Sequence, residues 1–360
     1  MKIENTVSQA IEISLRIFGI WPNTSCVLLR RLFWTVMLVT EQVFQYRYIV
    51  VHFHLIEFIE MMRIIGSTMA YTIFLFKLLI FWYKQRTFNR ILTMMANNWE
   101  KCSDTKFSML ITSSKILVKH DNGDTASNVS TRLLILDMDL PFDANRRFIY
   151  ESIIIVQFLH LVLCSEAIGL LNALLINLIL HISGQIDILR KSVMDIFPKE
   201  GNGRLSRFVV QKIIKKHQEI IIFSEHIEDL YSYIAMVLFV TDTLIICCLG
   251  FTIVAAIGRP DALNNIIKTL LFYFLMNSEA FIFCFAGEYL SAKSKSIGDA
   301  AYDSLWYESD SKDSRIILFL IMRSQNQLTI TIGKIMNLSL DRFGSIIKAS
   351  ASYISVLFAM

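Results

Sequence analysis

Proline is nearly missing from this chain: there are four in 360 residues, Pro22, Pro141, Pro198 and Pro260. All four lie outside the long apolar runs, which argues against transporters that break their helices at the membrane midplane. Charge is scarce too. Asp, Glu, Lys and Arg make up 18% of the residues, where a soluble domain carries about 25%. The formal net charge is only +4, so nothing in the balance points to nucleic acid. The six cysteines (Cys26, Cys102, Cys164, Cys247, Cys248 and Cys284) show neither zinc spacing nor a dense disulfide framework. They read as free apolar thiols in or near a membrane. Residues 1–30 lack the continuous apolar stretch of a signal peptide, because Glu12, Ser14, Arg16 and Gly19 interrupt it. The first long apolar run is therefore expected to act as an uncleaved anchor. There is no internal repeat. Nor is there a phosphate loop, a His-Glu-x-x-His pair or a nucleophile elbow. His52 and His54 stand two apart, a poor metal pair on a helix. The sequence implies no enzyme, no metal and no cofactor.

Apolar residues, by contrast, reach 54%, with a mean hydropathy of +0.50. They cluster in six runs, 32–51, 64–83, 149–180, 234–257, 266–289 and 340–360, that can span a bilayer at roughly 20 residues each; the third is too long for one simple span and reads as a helix that crosses and continues into water. The fold class this predicts is all-α, a polytopic helical membrane protein. Basic residues follow the second, third and fifth runs, at Lys84, Arg86, Arg90, Arg190, Lys191, Lys212, Lys215, Lys216, Lys293 and Lys295, whereas 52–63 and 258–265 hold one Arg each. The basic loops, and with them the amino terminus, should be cytoplasmic. Parity then requires a further crossing between 84 and 148. The best candidate there, Phe107 to Val118, rises only about 18 Å as a helix, short of the ~30 Å hydrocarbon core. Residues 206–233 show helical spacing of Phe208, Val209, Ile213, Ile220, Phe223, Ile227 and Leu230, which predicts a long amphipathic helix feeding the 234–257 span.

Seven ionisable residues fall inside the predicted spans: Glu41, Lys77, Glu151, His160, Glu166, Asp242 and Glu279. Each is costly in hydrocarbon, so they either hold helices together or line a wet cavity or ion path. In the last run Asp341, Ser345, Lys348, Ser352, Ser355 and Ala359 step by four and three, which puts them on one helix stripe. Phe343, Ile346, Ile347, Ile354, Leu357 and Phe358 form the opposite face. The stripe suits a wet lumen or close packing through small residues. The lumen reading needs an oligomer, since one stripe cannot enclose a pore.

The segments GEYLSAKSKSIGDAAYDSLWYE (287–308), IMRSQNQLTITIGKIMNLSLDRFGSIIKASASYISVLFAM (321–360), HISGQIDILR (181–190) and LPFDANRRF (140–148) resemble the insect odorant receptor family, in a style similar to hymenopteran members. The gustatory-type signature Thr-Tyr-x-x-x-x-x-Gln-Phe is absent. The resemblance implies seven spans, a cytoplasmic amino terminus and an odorant-gated, non-selective cation channel. It implies a volatile odorant as ligand and a heterotetramer with a shared odorant receptor co-receptor. The setting it implies is the plasma membrane of olfactory sensory neuron dendrites. The chain would divide into a cytoplasmic segment 1–31, membrane helices one to four with a degenerate third span in 32–180, and a cytoplasmic anchor at 181–233. The fifth and sixth spans at 234–289, more anchor at 290–338 and the pore-lining last span at 339–360 complete it, with 315–337 the cytoplasmic part of the last element. The interval MLITSSKILVKHDNGDTASNVSTRLLILDMD is too short and too polar for the family's third span. Alternatives are therefore a gustatory-type receptor channel, a G-protein-coupled receptor, or a non-functional isoform lacking that span.

By position, the expected odorant contacts are Ser67, Tyr71, Ile155, Leu159, Phe272 and Met276, in an apolar cavity of the outer half. The expected pore residues are Ser345, Lys348 and Ser352, with a narrow outer gate at Val356, Ala359 and Met360. Lys348 should turn sideways or pair, with Asp341 as one partner. The Asn128-Val129-Ser130 sequon should lie outside and accept glycan, while Asn23 and Asn337 should not.

Overall fold

The computed structural model describes residues 9–22, 24, 26–53, 58–101, 147–196, 207–256, 263–304, 306–308 and 311–359. The Phe107–Val118 stretch, Asn23, Asn128 and Met360 lie outside the described residues. Nine α-helices are present among them: α1 Gln9–Ile17, α2 Val27–His52, α3 Phe58–Tyr83, α4 Gln85–Lys101, α5 Arg147–Met194, α6 Arg207–Ala256, α7 Leu263–Asp303, α8 Ser311–Ser324 and α9 Leu340–Ala359. The fold is thus nearly all-helical and built to cross a membrane several times. By length and composition, Met61–Tyr83, Tyr150–Met194, Phe208–Ala256 and Ile266–Asp303 can each cross. The run 32–51 lies within the continuous helix α2, and 340–359 form α9, although both are more polar.

Length shows how α5 to α7 are used. The 48 residues of α5 and the 50 of α6 extend about 70–75 Å, more than twice the ~30 Å hydrocarbon core. Each therefore continues well beyond an apolar belt into a second, more polar body. There the first half of α6 buries Val210, Ile213, Ile220, Phe223, Ile227 and Leu230, while Lys212 and Lys215 stay exposed. The amphipathic reading of 206–233 holds in its spacing, but Phe208 and Val209 face outward. Helix α4 joins the same body through Phe88, Ile91, Leu92 and Met95, all fully buried, and packs on α6. Helix α6 is the hub, touching α3, α4, α5, α7 and α9.

One departure from an all-helical reading lies ahead of the last span. Helix α8 stops at Ser324, and 331–337 fold into a two-stranded antiparallel hairpin, β1 Thr331–Ile332 and β2 Met336–Asn337. Gly333 and Lys334 both adopt left-handed conformations in its turn, with φ of 58° and 63°. A Cβ on Gly333 would meet Met236 Sδ at 2.6 Å, so glycine is required twice over. The Gly333 amide donates to the Ser232 carbonyl at 3.0 Å and the Lys334 amide to Ser232 Oγ at 3.0 Å. The hairpin is thereby clamped to the middle of α6, where the β-branched pair Thr331–Ile332 favours extended chain over helix.

Candidate functional site

Helix α9 turns its two faces as the sequence spacing predicts. Ile346 and Ser350 are buried, with Phe343, Ile347 and Ile354 half-buried, against α6 and α7. Ser350 Oγ sits 2.9 Å from the Ile346 carbonyl, and Gly250 of α6 lets Ile354 approach closely. On the other side Asp341, Ser345, Lys348, Ser352, Ser355 and Val356 are all exposed, Val356 at 54%. Ala359 ends the helix, and its side chain is outside the described set. Among the described residues Lys348 makes no ion pair with Asp341. Seven residues separate them, about 10 Å along the axis, which is too far for a contact on one helix.

A second site lies in the bundle between α2, α3 and α5. Along α5, Gln157, His160, Cys164, Ala167 and Leu171 are buried at steps of three and four. Ile155 and Leu159, which the sequence suggested as odorant contacts, fall on the opposite face, 59% and 54% exposed. His160 Nε2 and the Glu41 carboxylate of α2 form a close buried pair. The Tyr71 ring of α3 stacks on the imidazole, with centroids 5.8 Å apart, and Cys164 Sγ lies 3.3 Å from His160 Nε2. The Tyr71 hydroxyl is buried and finds no partner among the described residues. Beside this cluster a cavity of about 330 Å³ opens between Met37, Glu41, Phe44, Ile153, Val156 and His160. Ser67 lies on α3 one turn away, its hydroxyl spent on the Ile64 carbonyl at 2.9 Å.

Phe272 and Met276 belong elsewhere. They pack in one cluster with Ile73, Ile246, Leu249 and Ala280 that also holds Ile346 of α9. The structure therefore brings Tyr71 to His160 and Met276 to the last helix, but does not join all six suggested residues in one cavity. His160 and Glu41 were legible as costly membrane charges. Their place in a cavity wall was missed, since Ile155 and Leu159 were expected to face inward; the three-four stepping of Gln157, His160 and Cys164 is the signal that could have found it.

Below these sites Lys77 of α3 pairs with Glu279 of α7, all but fully buried, next to the buried Asp242 of α6. Further down, in the polar body, Lys84 Nζ meets Asp229 Oδ1 at 2.6 Å and Thr87 donates to Asp229 Oδ2 at 3.0 Å. Burial pushes the Asp229 carboxyl up. Hydrogen bonds from Lys84 and Thr87, with the charges of Lys84 and Lys334, outweigh that and hold it below its ordinary value. Lys293 holds Asp187 through both oxygens at 2.9 Å, and Thr331 donates to Glu228 at 2.9 Å. Among the described residues no group of three His, Cys, Asp or Glu side chains is placed to hold a metal ion.

The sequence profile of the 7tm odorant receptor family matches residues 107–351, more than half of the chain. Odorant receptor 10 of Aedes albopictus is 30% identical over 148 residues, 41% of this chain and 38% of that protein. Odorant receptor 22c of Drosophila melanogaster is 27% identical over 165 residues, 46% of this chain and 39% of that protein. The chain thus matches about two fifths of the length of these relatives. In fold it is similar to the insect olfactory receptor OR5 of Machilis hrabei solved in complex with eugenol. The TM-score is 0.74 at 15% identity, covering 97% of this chain and 96% of that one. A second structure of that receptor gives 0.72 at 16% identity. At such identity the likeness speaks for the fold alone. Helices long and apolar enough to cross a membrane and a family profile over most of the chain lead to one assignment: this multi-pass membrane protein belongs to the insect 7tm odorant receptor family, a family of receptors and not of enzymes.

Proposed function

We propose that the chain is the odorant-binding subunit of an odorant-gated, non-selective cation channel. It assembles with a shared co-receptor as a heterotetramer in the dendritic plasma membrane of olfactory neurons, with its amino terminus in the cytoplasm. The observation that carries this reading is the exposed stripe of α9. Asp341, Ser345, Lys348, Ser352 and Ser355 would be costly against lipid tails. Against a water-filled lumen they are at home, and a lumen requires neighbouring subunits to close it. Val356 and Met360 then narrow the outer end, where an apolar ring blocks ions by excluding water until it widens.

The odorant enters from the bilayer or the outer face and loses its water in an apolar cavity beside Tyr71 and His160. Desolvation supplies most of its binding energy there. The eugenol bound by the Machilis receptor, a small aromatic volatile, supports this ligand class. Phe272 and Met276 belong to a separate cluster that also holds Ile346 of the last helix and Ile73 of α3, two residues beyond Tyr71. Displacing Met276 shifts Ile346 and with it the stripe. The sequon at Asn128 lies outside and carries glycan in this topology.

Cysteine at Val356, expressed with the co-receptor, tests the reading. A charged thiol reagent should block current, and faster while odorant holds the channel open. Normal currents with no modification in either state would remove Val356 from the conduction path. Surface delivery without any odorant-evoked current would favour the other reading, a non-conducting isoform, which the short polar 109–139 interval supports.

A further inference from the structure

We infer that the groove between α1 and α2 is a binding site for one anionic phospholipid of the surrounding bilayer. The groove encloses about 920 Å³, near the upper end of the ~300–1,000 Å³ typical of small-molecule sites. Two arginines stand in its wall, Arg16 from α1 and Arg30 from α2. Arg30 Nη1 donates to the Arg16 carbonyl at 2.6 Å, which fixes its guanidinium over the end of α1. Arg16 gives Nη2 to Glu12 at 2.5 Å, yet its Nε is buried and has no acceptor among the described residues. The rest of the Arg16 side chain is open to the groove, 43% exposed, and a phosphate is an anion that a guanidinium fork binds well. The neighbouring Arg31 is already committed to the Gly19 carbonyl and to Gln85.

The rest of the wall is apolar and points the same way. Leu29 and Phe33 line the groove and are 66% and 55% exposed, and Val36 and Val43 extend that face along α2. Ile13 and Ile17 of α1 close the other side, also exposed. In the membrane this row of α2 faces the acyl chains. An acyl chain lying along α2 covers it without leaving the bilayer. The charges decide between lipids: among the described residues the one ion pair recorded for the two arginines is that of Arg16 with Glu12, and Arg30 has none. The site therefore carries unspent positive charge at the foot of the first long helix, where anionic headgroups gather.

The inference needs membrane insertion but no channel activity, so its failure leaves the channel reading untouched. The full chain would be reconstituted in phosphatidylcholine nanodiscs carrying a photoreactive phosphatidylserine or a photoreactive phosphatidylcholine. Crosslinked peptides would then be mapped by mass spectrometry. The serine lipid should label residues 9–34 several-fold more than the choline lipid. Arg16→Gln with Arg30→Gln should reduce that labelling by roughly fivefold per charge removed, with labelling elsewhere unchanged. Arg30→Lys, which keeps the charge, should retain most of it and so controls for folding. Leu29→Ser with Phe33→Ser should also lower it. Equal labelling by the two lipids, or unchanged labelling in the double arginine variant, would overturn the site. Displacement by inorganic phosphate, with the two apolar substitutions silent, would make it a site for a free anion and overturn the lipid assignment.

Discussion

Removing Lys77 should unsettle the bundle more than removing either of its acidic neighbours. The lysine joins three helices: it stands on α3, pairs with Glu279 of α7, and lies within electrostatic range of Asp242 of α6. All three side chains are buried, and both Asp242 oxygens lack a hydrogen-bond partner among the described residues. Its ammonium also lies 5.8 Å from the centroid of the Phe283 ring. One cation therefore serves two carboxylates. Lys77→Met keeps the volume but leaves both carboxylates without a counter-charge. Breaking a buried pair in this way costs about 3–5 kcal/mol. For a domain of this size each kcal/mol moves Tm by roughly 2–4 °C, so a fall of about 10 °C is expected. Glu279→Gln should cost less, because Asp242 remains to face the lysine. Asp242→Asn should be close to neutral, since its carboxyl makes no hydrogen bond among the described residues that the amide would lose. Thermal unfolding of detergent-solubilised protein, followed by size-exclusion recovery, gives the order directly. Lys77→Met within about 1 kcal/mol of the parent protein, or Asp242→Asn as damaging as Lys77→Met, would refute the reasoning.

Three further outcomes are expected. Gly287→Ala would put a Cβ 2.6 Å from Leu338 Cβ and 2.7 Å from its carbonyl oxygen. That should cost about 1–3 kcal/mol by overpacking and, in the channel reading, shift the odorant concentration-response; normal Tm and response together would count against a tight hairpin–α7 contact. Tyr71→Phe deletes a buried hydroxyl that has no partner, so stability should hold or rise. Potency should drop roughly tenfold for odorants that carry a hydrogen-bonding group and stay level for pure hydrocarbons, and equal loss for both would move the binding site elsewhere. Asp229 has a folded-state pKa below its ordinary value, so its stabilising effect is present above about pH 4 and disappears as pH falls through the folded value. Asp229→Asn should therefore flatten the acid limb of a stability profile, and an acid limb identical to the parent's would show that the Lys84 contact contributes nothing.

The sequence by itself determined the class, the spans that are apolar or periodic enough to be seen, and the two faces of α9. These follow from properties each residue carries wherever it goes. A run of about 20 apolar residues has one low-energy environment, and a stripe at three-four spacing stays on one side of any helix. The same periodicity runs through α5's inward row of Gln157, His160 and Cys164, but the residues expected there from the sequence were Ile155 and Leu159, on the opposite face. What it left open was which partners those rows would meet. Only the tertiary structure decided that His160 faces Glu41 and Tyr71, that Lys77 pairs with Glu279, and that Met276 shares a cluster with Ile346 rather than with Tyr71. The hairpin at 331–337 was likewise out of reach, because its turn is held by Ser232, about a hundred residues away along the chain. Contacts between helices depend on rotation about each axis, and each residue of offset turns a face by about 100°. That angle is set by packing all the helices at once, so local spacing can name the faces and the assembled bundle alone assigns their neighbours.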